Sequence, residues 1–398
     1  MADTTVDANV NSFLHTRTQR LGPVWTDENT AYVFYIDASD DVVFNKTSDG
    51  GASWAGKTVI KTGTCRWVSV WYDKWTTGDV GTTIHVAYLD TGSHDIFYRD
   101  LDTSDDSLGT EITVFSGVSF EFEILDITKA RGGNLYCGFW GDNDGENGFY
   151  RSTDSGANWT SRAQLADGNA TDFILLMPGN EADNQDIWCI YWDASADELS
   201  LKIYDNSDGA SGSWSETLIS GSMVDSPTYY QMSAAPRHSD NHVILAAWSE
   251  LDAATADLKV WDIGGSADIT AKTDVVTDLD ESAQVAVFIN QQTSPPEIYV
   301  AYLKGGTWTA TVDVKYKKST DGGAAWGSEQ TYSEAAADNL GAVWAGISVG
   351  DAGGKFQPCW FNDDLNDLFV NLVNDVDIAA ADGAPTTRRY SLTVTGVG

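Results

Sequence analysis

Positive charge is what this sequence has least of. Against 59 Asp and Glu stand only 23 Lys and Arg, so the 398-residue chain carries a formal net charge of −36. Nucleic acid and anionic membrane surfaces both demand a positive field, and neither is expected as a partner. No apolar run approaches the eighteen or so residues of a membrane-spanning helix, which excludes membrane insertion by helices. The first residues, Met1-Ala-Asp-Thr-Thr-Val-Asp7, show neither a basic nor an apolar signal region, which predicts a chain made in a cytoplasm without export. Cysteine is scarce: Cys65, Cys137, Cys189 and Cys359 form no CxxC or Cys/His pattern, so neither a zinc site nor a disulfide framework is expected. They read as small buried hydrophobes.

Glycine and aromatic residues, by contrast, are plentiful, at 37 Gly and 12% Phe, Trp and Tyr. Three segments are nearly superimposable: Thr47-Ser-Asp-Gly-Gly-Ala-Ser-Trp54, Ser152-Thr-Asp-Ser-Gly-Ala-Asn-Trp159 and Ser319-Thr-Asp-Gly-Gly-Ala-Ala-Trp326. Each follows an alternating, aromatic-rich stretch that ends in Lys46, Arg151 or Lys318. Asp49, Asp154 and Asp321 lie two and three multiples of one period apart, about fifty-four residues, and weaker copies at Asp102, Asp208, Asp262 and Asp375 complete seven units.

A second ladder gives the same count. Seven apolar runs recur at Tyr32–Ile36, Ile84–Leu89, Leu135–Trp140, Ile187–Trp192, Val243–Trp248, Ile298–Leu303 and Phe356–Phe361. Runs this short, rich in β-branched and aromatic residues, fit strands buried on both faces. An acid opens the next strand each time: Asp41, Asp95, Glu146, Glu198, Asp257, Asp313 and Asp367. Radial repetition of four short strands is the propeller's answer to exposed sheet edges. The expected fold is therefore all-β, a seven-bladed β-propeller of four-stranded antiparallel blades. Residues 1–20 read as an N-terminal arm, 21–385 as the propeller, and 386–398 as a C-terminal strand able to close the ring, with Val10–His15 as its competitor.

The three strong segments resemble the Asp-box, or BNR repeat, whose pattern is Ser/Thr-x-Asp-x-Gly-x-Ser/Thr-Trp. The first copy matches at every defined position, while Asn158 and Ala325 depart from it in the second and third. The resemblance implies a hairpin lock at the blade periphery. The residues assigned to it are Thr47, Asp49, Gly51 and Trp54, then Ser152, Asp154, Gly156 and Trp159, then Ser319, Asp321, Gly323 and Trp326. In such a turn the carboxylate and hydroxyl bond backbone N–H groups, Gly takes positive φ, and Trp plugs the gap between sheets.

Asp-box propellers include sialidases, xyloglucanases, lectins and non-enzymatic assembly factors. A sialidase implies three arginines around a substrate carboxylate, a Tyr nucleophile with its Glu, and an Asp acid/base. The opening Phe/Tyr-Arg-Ile-Pro motif of such enzymes is absent here. Of ten arginines, Arg20 and Arg66 are the candidates for the ligand face, with Arg17, Arg388 and Arg389 behind them; Arg131 and Arg237 fall on the opposite side. The loops between second and third strands carry Asp37, Asp40, Asp90, Asp142, Asp144, Asp193, Asp197, Glu250, Asp252, Asp363 and Asp364, a rim that repels anionic sugars. No pair of carboxylates is singled out for general acid/base work.

Trp75, Trp308 and Tyr229 are candidates for stacking on sugar rings, with Arg66 beside them. Calcium is the one candidate metal, at Asp142 and Asp144 or at Asp363 and Asp364, although neither loop has the full twelve-residue calcium pattern. No cofactor is required. The chain also looks like propellers encoded among tailed-virus structural genes. That likeness reconciles the missing export signal with a family that works outside cells, because a particle reaches the exterior by lysis. The expected role is a non-enzymatic surface, decoration or fibre-associated virion protein, partnered by other virion proteins or by itself and touching host glycans. The rival is a sialidase-like or other glycoside hydrolase working extracellularly.

Overall fold

In the computed structural model, six of the seven apolar runs become the second strands of four-stranded antiparallel blades, and the seventh does so in part. The structure describes residues 3–11, 20–117, 122–141, 147–165, 172–181, 184–193, 196–208, 211–223, 232–249, 256–279, 284–304, 313–333, 340–371 and 375–381. Blade 1 shows the plan: Val24–Trp25, Ala31–Ile36, Val42–Thr47 and Thr58–Lys61 follow one another in sequence and in space. Every residue of Ala31–Ile36 is buried, because neighbouring sheets cover both faces of the strand. That explains a continuous apolar run where a one-sided sheet would show alternation. The seven sheets make a seven-bladed β-propeller.

The ring closes through the N-terminal segment. Thr4–Asp7 adds to Asp367–Val370 as the outermost strand of blade 7, pairing Thr4 with Val370 and Thr5 with Phe369. Side chains hold it there: the Asn45 amide donates to the Val6 carbonyl (2.7 Å), the Asn371 amide to Asp3 (2.7 Å) and the Tyr35 hydroxyl to Asp7 (2.6 Å). The closing strand thus precedes the Val10–His15 segment, of which Val10 makes a single bridge to Asp37. Residues 386–398 lie outside the described residues.

Blade 7 departs from expectation in a second way. The run Phe356–Phe361 is broken by Gln357-Pro358, since proline has no N–H for a ladder. Only Cys359–Asn362 enters the blade; Phe356 belongs to a two-stranded ribbon formed by Gly354–Phe356 and Val376–Ile378. The four cysteines are buried free thiols, as their apolar settings imply. Among the described residues the sole helical element is a 3-10 turn, Asp73–Trp75, and no helix is long and apolar enough to cross a membrane.

Candidate functional site

The three tryptophan hairpins join the third strand of a blade to its outermost one, and their geometry repeats. In each, the strand-ending hydroxyl donates to the carboxylate two residues on: Thr47 to Asp49, Ser152 to Asp154 and Ser319 to Asp321, all at 2.8 Å. The same hydroxyl accepts from the N–H of Gly51, Gly156 or Gly323 at 2.8–2.9 Å. Those glycines have φ of 88°, 93° and 88°, each preceded by another left-handed residue. The carboxylate Oδ1 then accepts from the N–H of residue 53, 158 or 325 at 2.9 Å. The Asn158 side chain, with its backbone N–H behind it, holds Asp154 below the usual carboxylate range, and the Ala325 N–H followed by the Ser319 hydroxyl does the same for Asp321.

The indoles wedge against the preceding blade. Trp159 lies 5.4 Å from the Tyr98 ring of blade 2, and Trp326 donates to the Thr273 carbonyl beside blade 5 at 2.7 Å. Trp214 does the same work in blade 4, donating to the Ala163 carbonyl at 3.0 Å.

The axis is filled by charge. Arg20, 3% exposed, reaches from blade 1 to Asp126 of blade 3 (2.8 Å) and to the Leu176 carbonyl of blade 4 (2.8 Å). Asp126 is fully buried and also accepts from the Ser69 hydroxyl of blade 2 (2.8 Å), from its neighbour's Ile127 N–H (3.0 Å) and from Leu176 N–H (2.7 Å). Burial raises its pKa against the pull of Arg20. Arg20 is therefore spent on an internal ion pair and is not a substrate clamp.

At the other end of the axis, where first strands turn into second strands, Trp75 is a plug. It is wholly buried and donates to the Ser348 carbonyl at 2.9 Å, while His238 contacts its own carbonyl at 3.2 Å. The expectation that Trp75 offers a face to a sugar is corrected: in the 3-10 turn read as a rim loop Asp73 and Trp75 are core, and protein covers the indole.

The remaining described arginines are likewise engaged, by different partners. Arg99 donates to the carbonyls of Gly109 and Ile60, Arg131 to those of Gly179 and Glu181, Arg151 to Asn206, Arg162 to Thr160, and Arg237 to Asp240 and Asp262. Arg66 is half-buried in the first strand of blade 2, opposite Leu89, and has a partner too.

Three of the rim carboxylates are turn chemistry, whereas Asp40 accepts from the distant Asn11 amide. Asp37 accepts from Ser39 N–H (2.8 Å), Asp90 from Gly92 N–H (2.8 Å) and Asp193 from Ala196 N–H (3.1 Å). Asn362 plays this part for Asp364 and Leu365 N–H at 3.0 and 3.1 Å. Each such loop closes on a left-handed residue, Asp40, His94, Asp197 or Asn366. Asp363 and Asp364 thus sit in a hairpin turn, and among the described residues no cluster of His, Cys, Asp or Glu is arranged to hold a metal. Asp142, Asp144, Tyr229 and Trp308 lie outside the described residues.

An open groove of about 520 Å³ runs along blade 6, beside the third hairpin. Tyr299, Tyr316, Lys318, Asp321, Trp326 and Gln330 contribute to its walls, with Val376 of the ribbon at one side. Volumes of roughly 300–1,000 Å³ are typical of small-ligand clefts. The third strand, Asp313–Ser319, and the short outermost Gln330–Thr331 pair Tyr316 with Gln330, which is why these side chains meet. Lys318 is paired with Glu297 at 2.9 Å and lies 5.7 Å over the Tyr299 ring. Of the residues proposed from sequence for glycan binding, neither Trp75 nor Arg66 lines this groove. Trp326 and Asp321 do, although sequence assigned them to scaffolding alone.

No protein-family model and no curated sequence matches the chain. Solved structures do. An ulvan lyase of polysaccharide lyase family PL25 superimposes with a TM-score of 0.54 at 11% identity, over 96% of this chain and 95% of that one. The same kind of enzyme bound to -[GlcA(1-4)Rha3S]- gives 0.53 at 11% identity over the same shares. AofleA from Arthrobotrys oligospora gives 0.53 at 11% identity, over 83% of this chain and 94% of that one. At such identities the likeness is one of fold.

Proposed function

We propose that this chain is a non-enzymatic, saccharide-binding propeller carried on the surface of a virus particle. The observation that carries the non-enzymatic part is the commitment of its charged groups. The described arginines all have partners, Arg20 is sealed in the axis, and Asp37, Asp90 and Asp193 of the rim cap their own turns. Open to solvent is a groove with aromatic walls, the usual combination for orienting a ligand with few polar contacts. In support, a polysaccharide lyase of similar fold has been solved with -[GlcA(1-4)Rha3S]- bound; fold alone does not transfer that ligand to this chain. The hairpins are read as Asp-box copies because hydroxyl, carboxylate and glycine recur in one arrangement.

The place on a particle rests on likeness to tailed-virus structural propellers, and its test is direct. Mass spectrometry of purified particles is expected to find the protein in fixed stoichiometry, and its absence overturns the assignment. A fluorogenic sialoside and a polysaccharide panel test the enzymatic rival. No turnover is expected; turnover that Arg66→Ala abolishes would establish a hydrolase instead.

A further inference from the structure

The third hairpin differs from the other two at one position, and the difference opens a hydrogen-bonding atom into the blade 6 groove. In the first hairpin the Ser53 hydroxyl donates to Asp49 Oδ2 at 2.6 Å. In the second, the Asn158 amide donates to Asp154 Oδ2 at 2.7 Å. The third has Ala325 there, whose methyl lines the groove. Asp321 therefore keeps its two Oδ1 bonds, from Ser319 and the Ala325 N–H, while no side chain among the described residues donates to Oδ2. Asp321 is exposed and lines the same groove.

Two further features converge there. The Tyr316 ring is half-buried in the wall, and its hydroxyl has no hydrogen-bond partner among the described residues. Trp326 is held by its bond to the Thr273 carbonyl, so its indole is a fixed surface and not a swinging one. A fixed aromatic face beside an anionic acceptor and a phenolic hydroxyl suits a pyranose, which has an apolar C–H face and hydroxyl donors at its edge. The charged residues lining the groove are Lys318 and Asp321, and Glu297 already answers Lys318. Among the described residues lining the groove no second cation compensates an added carboxylate or sulfate.

We propose that the blade 6 groove binds a neutral sugar, with Asp321 Oδ2 and the Tyr316 hydroxyl as its polar contacts and Trp326 as its platform. The proposal rests on the saccharide-binding reading above and gives it a site and a ligand class. Loss of the motif's Ser/Thr at residue 325 turns a structural carboxylate into a recognition one.

The test is ligand-observed NMR and calorimetry on the full chain, using methyl glycosides of glucose, galactose, mannose and fucose, with glucuronic acid as the anionic comparison. Wild type is expected to bind a neutral glycoside. Ala325→Ser, which restores the donor found at Ser53, is expected to weaken that binding about tenfold or more without lowering the melting temperature. Tyr316→Phe, which keeps the ring, is expected to weaken it as well. Binding that both variants leave unchanged overturns this site while leaving a saccharide-binding propeller intact. Preference for glucuronic acid overturns the ligand class, and absence of binding across the panel overturns both proposals.

Discussion

Asp126→Ala tests whether the ion pair in the axis holds the ring together. The substitution removes a fully buried carboxylate that blades 1 to 4 share through Arg20, Ser69, Ile127 and Leu176. Arg20, 3% exposed, loses the buried carboxylate it pairs with at 2.8 Å. Breaking a buried pair from one side costs about 3–5 kcal/mol, and each backbone N–H left orphaned adds about 1–3 kcal/mol. These terms act on one site and do not add fully, so a loss of about 4–6 kcal/mol is expected. Arg20→Met should cost less, because Asp126 keeps its bonds from Ser69, Ile127 and Leu176, while Asp126→Ala strips a buried guanidinium of its carboxylate. Equilibrium urea unfolding, followed by far-UV circular dichroism and tryptophan fluorescence, measures both. A loss below about 1 kcal/mol for Asp126→Ala, or the opposite ranking of the two variants, refutes the reasoning.

Other predictions concern the hairpins, a buried acid and the closure. Gly156 has φ of 93°, and a Cβ there would lie 2.1 Å from the Tyr98 ring, so Gly156→Ala is expected to cost about 2–4 kcal/mol. Gly63, at φ 129° with open space around it, is the control for backbone strain alone and should cost about 1 kcal/mol in the same unfolding assay. Burial pushes Asp375 up to about 6, against Lys355 and the Tyr332 and Gln357 donors. Its folded pKa exceeds its unfolded one, so the stability it contributes is complete below about pH 4 and lost as pH rises through 6. Asp375→Asn should flatten that part of the stability–pH curve, by about 3 kcal/mol at most; an unchanged slope between pH 4 and 7 contradicts the assignment. Deleting residues 1–8 bares the edge of Asp367–Val370 and is expected to yield self-association by light scattering together with a lower unfolding midpoint.

Much of the fold was legible because a blade strand buried on both faces writes itself as an unbroken apolar run, and six of the seven runs fell in the second strand. The seventh misled because Pro358 lies inside it, and a proline in an apolar run marks a break that composition alone passes over. Closure was illegible for a different reason. Thr4–Asp7 is four residues long with one apolar side chain buried, Val6, and its place depends on Asn45, Asn371 and Tyr35 far away in sequence. Trp75 was misplaced because Trp71-Tyr-Asp-Lys-Trp75 reads as a strand running into a loop, whereas the chain turns in 3-10 geometry and drives the indole into the axis. The groove was missed although its signal was visible: Ala325 stands where the other hairpins carry Ser53 and Asn158. Only the register of Tyr316 against Gln330 reveals what that vacancy faces.

The closure has a consequence for how the molecule is made. Thr4 finds its partner at Val370, so the two strands that close the ring are made far apart in time. At about 5–20 residues per second that partner arrives on the order of 20 to 70 seconds later. Earlier blades can stack in order of synthesis, yet the ring stays unlatched until Asp367–Val370 has been made. A chain stalled before residue 367 keeps a loose leading strand and an unguarded final edge, the pair of features through which nascent copies would find one another instead of themselves.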